Sequence, residues 1–303
     1  SAFSDPVGSS GTENQLFQLL QDSTVTFQNG TLNVSETPTA DFRFLIQNYS
    51  NLTLDNMVLD GSGLTYPTQT IAKTPYTLSN NFGSTLIKNS TIIGKEGGFA
   101  FDVYYSKGTY GDGVNVTVQD STINGNIEVD SDGKDTAENV LTKAVLNFKG
   151  VNTINGNITN EGTININTTD DAASTITGSI DNSGALNINN TTFTGGEARN
   201  GGAIYNAGTT TVNNSEFNKN TATQYGGAIF VASGTLNVNN STFTENNGGV
   251  IGGAISDVFN VLNTLNINEG TTFTGNYATT GGAIGAYNAF NINGTSDNKV
   301  TFK

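Results

Sequence analysis

With 0 Cys and 0 His in 303 residues, this chain has no thiolate, imidazole or zinc–thiolate chemistry to use. Any site must be built from carboxylates, tyrosines and a few cations. The densest carboxylate pattern is Asp130-Ser131-Asp132-Gly133-Lys134-Asp135, with Glu128 before it and Glu138 after it. Oxygens of Asp130, Asp132 and Asp135 on a tight Gly-containing loop suit Ca²⁺, a hard cation that takes about six to eight of them. The spacing is not that of an EF-hand, and the plainer reading is a solvated turn that needs no cofactor.

A second set is aromatic. Residues 64–76 carry Tyr66 and Tyr76 with two of the 4 prolines, and residues 99–110 carry Tyr104, Tyr105 and Tyr110. On loops projecting from a scaffold, these rings could stack on sugars or pack against a partner protein, since a tyrosine has an apolar face and a polar tip. The plainer reading puts Phe99, Phe101 and Val103 in an interior strand. For acid–base catalysis the carboxylate candidates are Asp170 with Asp171, Asp130 with Asp132, and Asp55 with Asp60. None has a recognisable hydrolase spacing, and Arg43 and Arg199 are expected many turns away from the acidic cluster. A non-enzyme is the expectation.

The elements that must position these residues are announced by composition. Hydrophobic residues are 35%, charged residues only 13%, and Gly numbers 37; such a mix disfavours helices and favours strands and turns. A net charge of −14 argues against nucleic acid and anionic membranes. No run approaches the roughly 20 apolar residues of a membrane helix. The start at Ser1-Ala2-Phe3 has no basic-then-apolar leader, and the stop just after an alternating strand suggests a piece of a longer chain.

Repetition is the dominant signal. Gly-Gly-Ala-Ile recurs from Gly201, Gly226, Gly252 and Gly281, each copy eight or nine residues after a Phe: Phe193, Phe217, Phe243 and Phe273. Alternating strands precede each Phe, as in Leu186-Asn-Ile188 and Leu236-Asn-Val238. Looser copies run through the N-terminal half, where the pentad Ile-Asn-Gly-Asn-Ile occurs at Ile123 and again at Ile154. Short strands with Asn/Gly turns at about 25-residue spacing predict an all-β chain: a right-handed parallel β-helix of about 10–12 turns. Residues 1–23 are read as a cap region, with Gln15–Leu20 helical or irregular, and residues 24–303 as one continuous solenoid. The phenylalanines should form an internal stack and the Gly pairs a tight corner.

In residues 186–290, Phe217-Asn-Lys-Asn220, Phe243-Thr-Glu-Asn246 and Phe273-Thr-Gly-Asn276, each followed by Gly-Gly-Ala-Ile, resemble the polymorphic outer membrane protein repeats of Gram-negative surface autotransporters. Phe193-Thr-Gly-Gly196 departs at the last position. The resemblance implies an adhesin passenger exported to the cell surface, with a C-terminal membrane β-barrel in the full-length chain. Its partner would be a protein or glycan of a host-cell or bacterial surface. Chlamydial members usually contain cysteines, so the resemblance points to another bacterial lineage. Self-association through stacked Asn and Thr columns, a polysaccharide-cleaving β-helix enzyme and an inert stalk are the alternatives.

Overall fold

The computed structural model describes residues 14–34, 42–65, 74–107, 113–133, 135–168, 172–258 and 261–303. Nearly all of its strands are paired in parallel as a β-solenoid of about 10 turns, with one short helix. The chain divides into two units, Ser1–Leu146 and Asn147–Lys303. In the first unit, one wall stacks Asn14–Leu19, Phe42–Asn48, Tyr76–Asn80, Phe99–Tyr105 and Asn126–Ser131 in that order. Its second wall stacks Thr24–Asn33, Asn51–Asp60, Gly83–Lys88 and Val114–Gln119. In the second unit, the first wall is built from three-residue strands such as Ile180–Asn182, Ile204–Asn206, Ile229–Val231 and Ile255–Asp257. The second wall there bends into paired pieces, for example Gly234–Asn239 with Thr242–Thr244.

The period-two alternation fixes which side chains enter the core. Leu52 and Leu54, Val116 and Val118, Leu186 and Ile188, and Leu236 and Val238 are all buried, while the residues between them face out. Identical residues then meet in register. Phe193, Phe217, Phe243, Phe273 and Phe302 form a column with ring centroids 4.7, 4.7, 4.9 and 5.0 Å apart and planes within 11° of parallel. The predicted aromatic stack is present, and Phe302 extends it.

The corners depend on left-handed backbone. Asn190, Asn214 and Asn240 take φ of 46°, 49° and 45° where the second wall bends, and Gly270 takes 74° at the next turn. Asn tolerates this region better than other residues with a Cβ. In each Gly-Gly-Ala-Ile the first Gly is left-handed, and a Cβ on the second Gly of one turn would strike the backbone of the next: Gly202 against Gly227, Gly227 against Gly253. The motif is therefore a close approach of backbones.

The Asn of each Phe-x-x-Asn is a buried ladder. Asn220 Nδ2 donates to Asn246 Oδ1 (3.0 Å) and Asn246 Nδ2 to Asn276 Oδ1 (2.9 Å). The same amides donate to the carbonyls of Phe193 and Phe217. Gly196, the departure from the motif, still joins through its backbone N–H, which donates to Asn220 Oδ1 at 3.0 Å. A Cβ at Gly196 would collide with the Gly202 carbonyl oxygen, which is a local reason for glycine there.

One expectation is corrected. Asn14–Leu19 is not helical or irregular; it is a strand on Phe42–Asn48, with Phe17 edge-on to Phe27 at 5.3 Å. A helix this short has too few internal hydrogen bonds to compete with an unpaired strand edge beside it. Conversely, the acidic loop leads into a helix, Ala137–Lys143, capped by Thr136 Oγ1 on the Asn139 N–H, with Glu138 in its first turn and Lys143 in its last.

Candidate functional site: a tyrosine–carboxylate groove

The outer face of the first wall in Ser1–Leu146 carries a groove of about 290 Å³ lined by Arg43, Phe44, Gln47, Tyr76, Ser79, Asn81, Asp102, Tyr104 and Asp130. Register builds it. Gln47 pairs with Ser79, Ser79 with Asp102, Asp102 with Glu128, and Tyr104 with Asp130, so polar side chains at one outward position of successive turns become one column. Behind them Ile46, Leu78, Phe101 and Ile127 fill the core.

Tyr76 organises the floor. Its ring lies between Phe44 (6.1 Å) and Phe99 (5.0 Å), and its hydroxyl donates to Glu128 Oε2 at 2.8 Å. Burial first, then the negative charges of Asp102, Glu128 and Asp130, hold that hydroxyl well above the usual tyrosine range. The Arg43 guanidinium sits 4.6 Å from the Phe44 centroid and 5.5 Å from that of Tyr76, and its Nε–H donates to the Thr74 carbonyl at 3.0 Å. The groove's cation is thus tied to its wall. This corrects the expectation that Arg43 lies many turns from the acidic cluster: it lines the same groove as Asp102 and Asp130.

Asp102 is only 5% exposed. Its Oδ1 accepts the Asn80 N–H (2.6 Å) and its Oδ2 the Ser79 hydroxyl (3.0 Å). Burial pushes its pKa up to about 7 against those two hydrogen bonds; the Glu128 charge pushes the same way and Arg43 opposes it. Tyr104, half-buried at the rim, is raised by burial and then by Asp130, Asp132 and Asp102.

Of the tyrosines singled out in the sequence, Tyr76 and Tyr104 come together here. Tyr105 is 4% exposed, and its hydroxyl donates to Asp135 Oδ2 at 2.9 Å; Tyr66 and Tyr110 lie outside the described residues. The acidic triplet is divided by role. Asp130 lines the groove, and Asp132 accepts from the Ser106 hydroxyl at 3.0 Å. Asp135 receives Asn139 Nδ2, the Thr136 N–H, Tyr105 and Lys107, and these, the Asn139 amide foremost, hold its carboxyl below the usual range. Among the described residues no group of three or more His, Cys, Asp or Glu is gathered so as to hold a metal ion. Of the paired carboxylates, Asp55 bonds Lys88 at 3.0 Å and Asp60 caps the Ser62 N–H, while Asp170 and Asp171 lie outside the described residues.

Sequence reasoning missed Asp102, Gln47, Ser79 and Asn81. The signal was present in one place: Asp102 alternates with Phe101 and Val103, and Glu128 sits 26 positions later between Ile127 and Val129, one repeat on. Chemically the groove offers an aromatic rim, amide groups and carboxylate acceptors, the Ser79 hydroxyl being engaged between Asp102 and Asn81. Comparison with known proteins finds no matching family model, no matching curated protein and no matching solved structure.

Proposed function

We propose that the chain is the passenger part of an adhesin on a Gram-negative bacterial surface, binding a host or bacterial surface component without turning it over. The observation that carries the reading is the groove on the first wall of Ser1–Leu146, where Tyr76, Tyr104, Arg43 and a column of polar side chains share one concavity on a solenoid wall. Binding function commonly sits on such features of a rigid scaffold. The surface location and the membrane β-barrel of the full chain rest on the Phe-x-x-Asn and Gly-Gly-Ala-Ile resemblance. No helix among the described residues is long and apolar enough to cross a membrane.

Two other readings each have one observation in their favour. Polysaccharide cleavage is favoured by Asp102, whose pKa of about 7 suits a general acid. Against it, both Asp102 oxygens are engaged by Asn80 and Ser79, which leaves a glycosidic oxygen poorly served. Self-association is favoured by outward amide columns in Asn147–Lys303, such as Asn237–Asn266–Asn291 with amide contacts of 2.7 and 2.8 Å.

The test is a bead assay. Beads coated with the chain should attach to epithelial cells or to other bacteria, and Tyr104→Ala should lose most of that attachment. Clumping without attachment would transfer the reading to the amide columns. Release of reducing ends from a polysaccharide would transfer it to catalysis.

A further inference from the structure

Building on the binding reading, we propose that the groove is a site for one uncharged pyranose ring, a neutral hexose or N-acetylhexosamine at the end of a surface glycan. Size is the first ground. About 290 Å³ lies at the small end of ligand pockets, which run from about 300 to 1,000 Å³, so the groove seats a single ring and not a long stretch of polymer.

The lining is the second ground. Both faces of Tyr76 are occupied by Phe44 and Phe99, so the ring at the rim on which a sugar can stack is Tyr104. Gln47 brings an amide, Asn81 an amide oxygen, and Asp130 a carboxylate; the Ser79 hydroxyl and the Asn81 Nδ2 are already engaged, the first donating to Asp102 and the second donating to Ser79. Sugar hydroxyls, which also donate and accept, match this set, and carboxylate acceptors make the stronger charge-assisted bonds to them.

Charge is the third ground. The one cation lining the groove, Arg43, is stacked on Phe44 and bonded to the Thr74 carbonyl, and Asp102 and Asp130 line the same concavity with Glu128 behind Tyr76. A uronic or sialic acid would bring a further carboxylate into a concavity whose carboxylates, Asp102 and Asp130 with Glu128 beside them, already outnumber its one cation. Repulsion built into a site is how it rejects a wrong partner.

Titration calorimetry of the chain at pH 7.4 with methyl glycosides tests this. The probes are the methyl glycosides of galactose, glucose, mannose and N-acetylglucosamine, with glucosamine, methyl glucuronide and N-acetylneuraminic acid as charged arms. At least one neutral glycoside should bind with a millimolar Kd, weakened about tenfold or more in Tyr104→Ala and also weakened in Gln47→Ala, with thermal melts of both variants near the parent. Tyr277→Ala, in the other unit, should bind as the parent does. Tighter binding of glucosamine would overturn the proposal in favour of an ammonium ligand, and tighter binding of either acidic sugar would overturn it outright. Failure of every neutral glycoside to bind, or unchanged binding by Tyr104→Ala, would overturn it as well. If beads coated with the chain still attach to cells in that case, adhesion stands with a different ligand; if they do not, both readings fall.

Discussion

Asp102 shows how one buried side chain couples the wall to pH. Its carboxyl titrates at about 7 in the folded chain, against about 3.9 when unfolded. Between those values the native state keeps a proton that the unfolded state releases. The contribution of Asp102 to stability is therefore greatest below about pH 4, declines as pH rises to about 7, and is level above that. The local slope reaches at most about 1.4 kcal/mol per pH unit. Arg43, Tyr76, Tyr104, Glu128 and Asp130 surround the group. Asp102→Asn keeps the shape and an acceptor for the Asn80 N–H but removes the titration. Urea midpoints at pH 5.5 and pH 8 should differ less in Asp102→Asn than in the parent, and an unchanged difference would mean that Asp102 is not the group responsible.

At the scale of the element, the corner glycines separate two kinds of need. A Cβ at Gly227 would strike the Gly253 carbonyl and the backbone of Asn247, whereas one at Gly195, with φ of 67°, would meet nothing within 4 Å. Gly195→Ala should cost only the left-handed penalty, about 1–2 kcal/mol. Gly227→Ala must push two turns apart and should lower the melting temperature by far more, or prevent folding. Equal melts for the two variants would contradict the close-approach account of Gly-Gly-Ala-Ile. That corner was legible in the sequence because Gly226-Gly227-Ala228-Ile229 recurs unchanged in all four copies; so was the Phe stack, since identical residues at a regular step must meet when turns pair in register. The groove was not legible. Arg43, Tyr76, Asp102 and Asp130 come from loosely repeated turns separated by unequal insertions, and only the actual register of Gln47 on Ser79 and Ser79 on Asp102 brings them together. The helix at Ala137–Lys143 had its cap and charges in view, but 7 residues are too few to show a helical period.

For the molecule as a whole, 26 acidic residues face 12 basic ones. Ion pairs such as Lys88 with Asp55 and Lys219 with Glu245 are surface pairs of small worth. Net repulsion should dominate, so moderate salt is expected to raise the melting temperature by about 2–5 °C, measured by scanning calorimetry at pH 7.4 from low to physiological ionic strength. A fall would show that the pairs outweigh the repulsion. The steps between Gly-Gly-Ala-Ile copies are 25, 26 and 29, and across the longest step the strands stay in register: Ile229 meets Ile255, Ile255 meets Ile284 and Leu236 meets Leu265. A gene encoding such a chain can gain or lose a period in frame by unequal recombination. The neighbours of the altered period find the same Phe, Asn and Gly partners as before, so turn number is a heritable variable that selection can tune without a new packing solution.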